Sequence, residues 1–275
     1  MSLKRNISAN YASQIYVTLV GIVMVPLYIR HMGAEAYGLV GFFAMLQAWF
    51  NLLDMGLTPT MARESARFHA GAMGVLEYRR LARALEGVFW AVALLGGGLL
   101  FALSGVVAAK WLNASHLPAA DVQMALQLMA IIIALRWTGG LYRGVITGAE
   151  KLVWLIGFNS TIATLRFVAV LPVLVWVSAT PQTFFSFQLG VAVLELAGLC
   201  AMAYRLLPAI PQGQRIQWQW APLKPVLKAT SAGRLLLKHA MQMRLLRADL
   251  ERDLKELAPG AAATGVDQEQ ISIAI

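Results

Sequence analysis

The chain has little charge. Of its 275 residues only 13% are Asp, Glu, Lys or Arg, against 59% hydrophobic, where a soluble domain has about a quarter charged. That excludes an ordinary water-soluble globular body. Cysteine is nearly missing: Cys200 is the only one, which excludes an intrachain disulfide and a thiolate metal cage. The histidines (His31, His69, His116 and His239) are scattered without ligand spacing and read as loop residues. Basic residues outnumber acidic ones 23 to 14, giving a formal charge of +9. They do not gather into one patch of the kind that holds nucleic acid, so no nucleic-acid partner is expected. The first apolar run follows Lys4 and Arg5 as a signal peptide would, but it is too long for a signal core and no Ala-x-Ala-like cleavage site follows. It is expected to be a retained helix. No internal repeat is visible.

What the chain does have is six long apolar runs, at Tyr11 to Ile29, Tyr37 to Met61, Gly87 to Ala109, Val122 to Ile146, Val153 to Val177 and Phe184 to Tyr204. A helix rises ~1.5 Å per residue, so roughly 20 apolar residues cross a ~30 Å hydrocarbon core. The pattern predicts an all-α polytopic membrane protein with six transmembrane helices in residues 1–207.

Charge placement predicts orientation. With a cytoplasmic N-terminus, the inner segments hold Lys4 and Arg5, then Arg63, Arg67, Arg79, Arg80 and Arg83, then Arg143 and Lys151, then Arg205, Arg215, Lys224 and Lys228. The outer segments hold only Arg30 and Lys110. The positive-inside rule then places both termini in the cytoplasm of a cell inner membrane. The internal loop Arg63 to Glu86, with Leu76, Tyr78, Leu81 and Leu85 among basic residues, predicts a helix lying at the inner interface. Residues 208–232 carry Pro208, Pro211, Pro222 and Pro225 with Trp218 and Trp220, and read as an extended cytoplasmic linker. In residues 233–275, Met243, Leu246, Leu250, Leu254 and Leu257 recur at helical spacing, and Glu251 and Lys255 form an i,i+4 pair. This predicts a short amphipathic cytoplasmic helix followed by a disordered tail.

Polar residues inside the apolar runs are costly in hydrocarbon, so they face protein or water. Gln47, Asn51, Asp54 and Thr58 are spaced to share one helix face, as are Asn10, Gln14, Thr18 and Gly21. Arg136 and Arg143 are seven apart, and so are Asn159 and Arg166, and Gln188 and Glu195. Arg136, Arg166 and Glu195 lie near the middle of their spans and therefore at one depth. The simplest arrangement is a bundle whose polar faces converge on a hydrated cavity. Two plainer arrangements stay open: the amide stripes as interhelical hydrogen-bond contacts, and Glu195 with Arg166 or Arg136 as a structural ion pair. Gly96, Gly97 and Gly98 predict close helix packing, and Pro26, Pro59 and Pro172 are candidate kinks.

Three stretches together resemble the polysaccharide transporter family of lipid-linked oligosaccharide (O-antigen) flippases, relatives of the multidrug and toxin extrusion transporters. They are Asn6 to Arg30, ending Pro26-Leu27-Tyr28-Ile29-Arg30; Gly33-Ala34-Glu35-Ala36-Tyr37-Gly38, running into Leu52-Leu53-Asp54-Met55-Gly56-Leu57 and closing at Arg63; and Tyr142-Arg143-Gly144-Val145-Ile146-Thr147-Gly148-Ala149-Glu150-Lys151. The resemblance implies a non-enzymatic flippase that moves undecaprenyl-pyrophosphate-linked oligosaccharide units across the inner membrane for surface polysaccharide or lipopolysaccharide assembly, by ion-coupled alternating access around a cationic cavity. The bilayer and the lipid-linked oligosaccharide would be its partners. On this basis Arg136, Arg143 and Arg166 would hold phosphate, Gln47, Asn51, Asn159 and Gln188 would meet sugar hydroxyls, and Asp54 or Glu195 would carry a coupling ion, H+ or Na+. No other cofactor is expected. Family members have about twelve to fourteen helices in two similar lobes, and the likeness here covers the first lobe only, to about Lys228. A truncated product is the favoured expectation, with a homodimer or a separate second-lobe chain as the other, since a lone lobe has nothing to rock against. Other classes are a non-transporting membrane scaffold or accessory subunit that uses the tail helix, and a glycosyl ligase or polymerase of the same pathway. The short outer loops, without an acid/base constellation, argue against the last.

Overall fold

The computed structural model describes residues 3–54, 56–110 and 117–209. Those residues lie in a compact unit spanning Met1–Val226; a second unit, Leu227–Ile275, together with the predicted linker from Ile210 on, amphipathic helix and tail, lies outside the described residues. Eight helices make up the described part: α1 (Leu3–Met32), α2 (Ala34–Leu53), α3 (Leu57–His69), α4 (Val75–Lys110), α5 (Ala119–Gly148), α6 (Leu152–Phe167), α7 (Val170–Trp176) and α8 (Pro181–Leu206). Among the described residues five spans are long and apolar enough to cross a membrane: Asn10–Met32, α4, α5, Leu152–Trp176 and α8. Helices α2 and α3 pass the same test together, bent by 52°, and counted as one broken span they make six. The protein is an all-α, multi-pass membrane protein.

Large apolar side chains cover the outside. On α1, Tyr11, Ile15, Leu19 and Ile22 are exposed, and on α4, Leu94, Leu95 and Leu99. Such a surface is stable against lipid and would aggregate in water. Helix α5 is the hub: 56% of its most apolar stretch is buried, against 6% for α1. It packs most extensively on α8, α4 and α3, while α1 rests mainly on α6.

The close contact of α3 with α5 depends on missing side chains. A Cβ at Gly144 would sit 2.8 Å from the Thr58 carbonyl oxygen, and one at Gly148 would sit 2.2 Å from that of Ala62. With Gly140 these form a run of small residues every fourth position, which lets backbones approach. Gly96 and Gly97 also pack closely, against Phe50 and Ala134, but Gly98 faces open space.

The predicted second helix is two helices. Gly56, at φ 90°, takes a left-handed conformation that suits glycine, and α3 starts after it. The Asp54 carboxylate accepts from the Thr58 N–H at 3.1 Å and the Thr58 hydroxyl at 2.9 Å, which satisfies an orphan donor of α3. The expected interfacial helix between Arg63 and Glu86 is not a separate element. Its first part ends α3, its last part begins α4, and Tyr78, Leu81 and Leu85 are buried in the core. The helical spacing was real, but its apolar face meets protein rather than lipid; Phe68, for example, stacks on Tyr78 with ring centroids 4.5 Å apart.

Helix α6 ends before Pro172, which lacks the N–H a continuing helix needs. Two carbonyls at this end take side-chain donors: Gln188 Nε2 to Arg166 O at 2.9 Å and the Tyr28 hydroxyl to Phe167 O at 2.6 Å. The break is thereby held by α8 and α1. It also places Arg166 inside the composite span rather than at a surface.

Candidate functional site

The site is built around one buried carboxylate. Seven-residue spacing puts Arg136 and Arg143 on one face of α5, and Gln188 and Glu195 on one face of α8. Because α5 and α8 pack along each other, these faces meet. Glu195 is 6% exposed at its side chain. Its Oε1 accepts from Arg143 Nη2, and its Oε2 accepts from Arg166 Nη2 at 2.8 Å. Arg136 Nε stands 3.7 Å from the same Oε2. A carboxylate held by charged donors on two other helices ties three spans together.

Neutral partners complete the cluster. Asn159 Oδ1 accepts from Arg143 Nη1 at 2.6 Å, and Gln188 Oε1 accepts from Arg136 Nη2 at 3.3 Å. The Arg136 guanidinium also lies over the Phe43 ring, 5.4 Å from its centroid, a cation–π contact. Even so, the accounting does not close. Among the described residues three guanidiniums face one carboxylate, 3 − 1 = +2. The Nε donors of Arg136 and Arg166 are buried and have no hydrogen-bond partner among the described residues. Arg143 and Arg166 keep 30% and 24% of their side chains exposed and line a cavity, so the surplus positive charge faces that space rather than a sealed interior.

The cavity measures about 450 Å³. Helix α1 contributes Asn10, Ser13, Gln14 and Thr18, helix α2 Gln47 and Asn51, and helix α6 Asn159 and Arg166; Arg136 and Arg143 of α5 and Glu195 of α8 also line it. Asn10, Gln14, Thr18 and Asn51 are exposed although they lie in apolar spans, so the cavity is open to small molecules. Helix α1 is held there by Ser13 to Ser160 at 2.8 Å and Tyr16 to Thr164 at 2.7 Å.

Of the residues singled out in the sequence, Arg136, Arg143, Arg166, Gln47, Asn51, Asn159 and Glu195 line one cavity. Gln188 and Asp54 do not line it. Gln188 is buried behind Arg136 as a positioning group, and Asp54 caps α3. The sequence did not show that Arg143 would reach Glu195: one helical face spans several turns, and only a long side chain bridges the difference in depth. Among the described residues no group of three or more His, Cys, Asp or Glu gathers as a metal site.

No protein-family model, curated protein or solved structure matches the chain.

Proposed function

We propose that the chain forms one lobe of a flippase for undecaprenyl-pyrophosphate-linked oligosaccharide, as its resemblance to the polysaccharide transporter family implies. The observation that carries this is the net positive, amide-lined cavity within the apolar spans, with two buried guanidinium donors unmet among the described residues. A pyrophosphate offers the missing charge and acceptors, and Gln47, Asn51 and Asn159 suit sugar hydroxyls. A polymerase or ligase would need an acid/base constellation, whereas the carboxylate here is engaged by arginines.

In this reading the chain resides in the inner membrane with its N-terminus and the end of α8 on the cytoplasmic side, supported by the positive-inside bias. Glu195 is the better ion-coupling candidate than Asp54, because it touches the cavity and the anion's own partners. The open side along α1 and α2 would face a second lobe, either another copy or a separate chain, so that the pair alternates access around the midplane. The test is complementation of a strain lacking its flippase, with the chain supplied alone and with a second-lobe partner. Arg136→Gln and Arg166→Gln are expected to abolish complementation at unchanged membrane levels. Full activity of both variants would overturn the assignment.

A further inference from the structure

A second pocket, of about 270 Å³, lies at the end of the bundle where α4 begins and α5 and α8 finish. It shares no lining residue with the central cavity. Its frame is Glu86, 12% exposed at its side chain. Glu86 Oε1 accepts from the Tyr142 hydroxyl at 2.8 Å and from the Tyr204 hydroxyl at 2.9 Å, and Oε2 accepts from Arg83 Nη1 at 2.6 Å. One carboxylate thus pins α4, α5 and α8 into a preformed cup. Arg79 is fixed beside it, its Nε donating to the Pro208 carbonyl at 2.7 Å.

The cup has two chemical halves. Arg79 and Arg83 against Glu86 leave 2 − 1 = +1. Each arginine spends one donor on a described residue, so the rest of each guanidinium fork is open to an acceptor. The other wall is apolar, formed by Ala82, Leu141, Val145 and Leu207. Depth matters as well. Helix α4 has 36 residues, which is about 54 Å at ~1.5 Å per residue, far more than the ~30 Å hydrocarbon core. Its first turns therefore stand at headgroup level, and tyrosines beside them suit that zone.

We propose that this pocket holds the phosphate-bearing headgroup of an anionic membrane lipid. The guanidiniums take the phosphate oxygens, the tyrosine hydroxyls face the glycerol, and the acyl chains leave along the apolar wall. A soluble phosphate would use only the basic half and leave the apolar wall unmatched.

The experiment uses the full chain in nanodiscs of phosphatidylcholine, with phosphatidylglycerol as the probe and inorganic phosphate as the soluble comparison. Lipid retention is read by native mass spectrometry after release from the disc. Preferential retention of phosphatidylglycerol is expected. Arg79→Gln with Arg83→Gln should weaken it by about 30-fold, since each basic residue near the surface contributes a several-fold gain. Leu207→Trp, which keeps every charge and fills the apolar wall, should weaken it too. Arg136→Gln, in the central cavity, should leave it unchanged. Unchanged retention in either the double arginine variant or Leu207→Trp, or equal occupancy by inorganic phosphate, would overturn the proposal. Loss of retention in Arg136→Gln would move the lipid to the central cavity and overturn it as well.

Discussion

A single carboxylate decides the state of the central cavity. Glu195 offsets part of the charge of Arg136, Arg143 and Arg166, and it is almost wholly buried. Removing one partner of a buried ionic cluster costs about 3–5 kcal/mol, much of it for the charges left behind. Glu195→Gln keeps the shape and removes the charge, so it is expected to destabilise the fold by an amount in that range, read in detergent as a lower thermal unfolding temperature. Because the deficit is one of negative charge, added pyrophosphate should restore more stability to Glu195→Gln than to the parent chain. A second change, Arg166→Gln on top of Glu195→Gln, should cost less than the sum of the two, as expected for residues in one network. Additive losses would mean that these residues do not act as one network, and no pyrophosphate effect would mean that the cluster only glues helices. The contrasting residue is Asp54. Its carboxylate serves the α3 start, so Asp54→Asn should disturb that local turn without altering anion stabilisation.

At the scale of elements, the polar stripes were legible and the breaks were not. Gln47 and Asn51 read correctly as one face because both lie within α2. Thr58 continued the same spacing on paper, yet Gly56 redirects the chain and Thr58 belongs to α3. Spacing carries no signal for such a redirection; the glycine does, and in an apolar run it is easily taken for packing. The Glu86 cluster was missed for a related reason. Tyr142 and Tyr204 sit in apolar runs and count as hydrophobic until the fold turns their hydroxyls onto one carboxylate. The glycines also divide by partner rather than by frequency. Gly148 would drive a Cβ into backbone at 2.2 Å, which cannot rotate away, whereas Gly98 has nothing within 4 Å. Gly148→Ala is therefore expected to destabilise by about 1–3 kcal/mol or more. Gly98→Ala should be neutral or gain up to about 1 kcal/mol from helix propensity. Thermal unfolding of the two variants side by side checks this, and a milder effect at Gly148 than at Gly98 would contradict the α3–α5 packing.

At the scale of the whole molecule, two surfaces follow opposite rules. The outside presents leucine, isoleucine and tryptophan, with Leu95 at 75% exposure, while the face between α1 and α5 presents amides and guanidiniums. In hydrocarbon the second face is tolerated only if water, a ligand or another protein fills it. A hydrated cavity and a dry structural ion cluster differ in one measurable respect, access by a small polar reagent. In a Cys200→Ser background, Gln47→Cys and Asn159→Cys replace cavity-lining amides and leave the three arginines and Glu195 in place, Asn159→Cys also removing one acceptor of Arg143. Both thiols should react with a water-soluble methanethiosulfonate in intact membranes. Leu95→Cys, which faces lipid, and Leu199→Cys, which is wholly buried, should not, because neither thiol meets water at which to ionise. Pyrophosphate added from the accessible side should slow the reaction of Gln47→Cys and Asn159→Cys together, since one cavity holds both. Protection of only one would split the cavity into separate sites. Complete silence of both, with the chain properly inserted, would show that the polar face is sealed and that Glu195 serves packing alone.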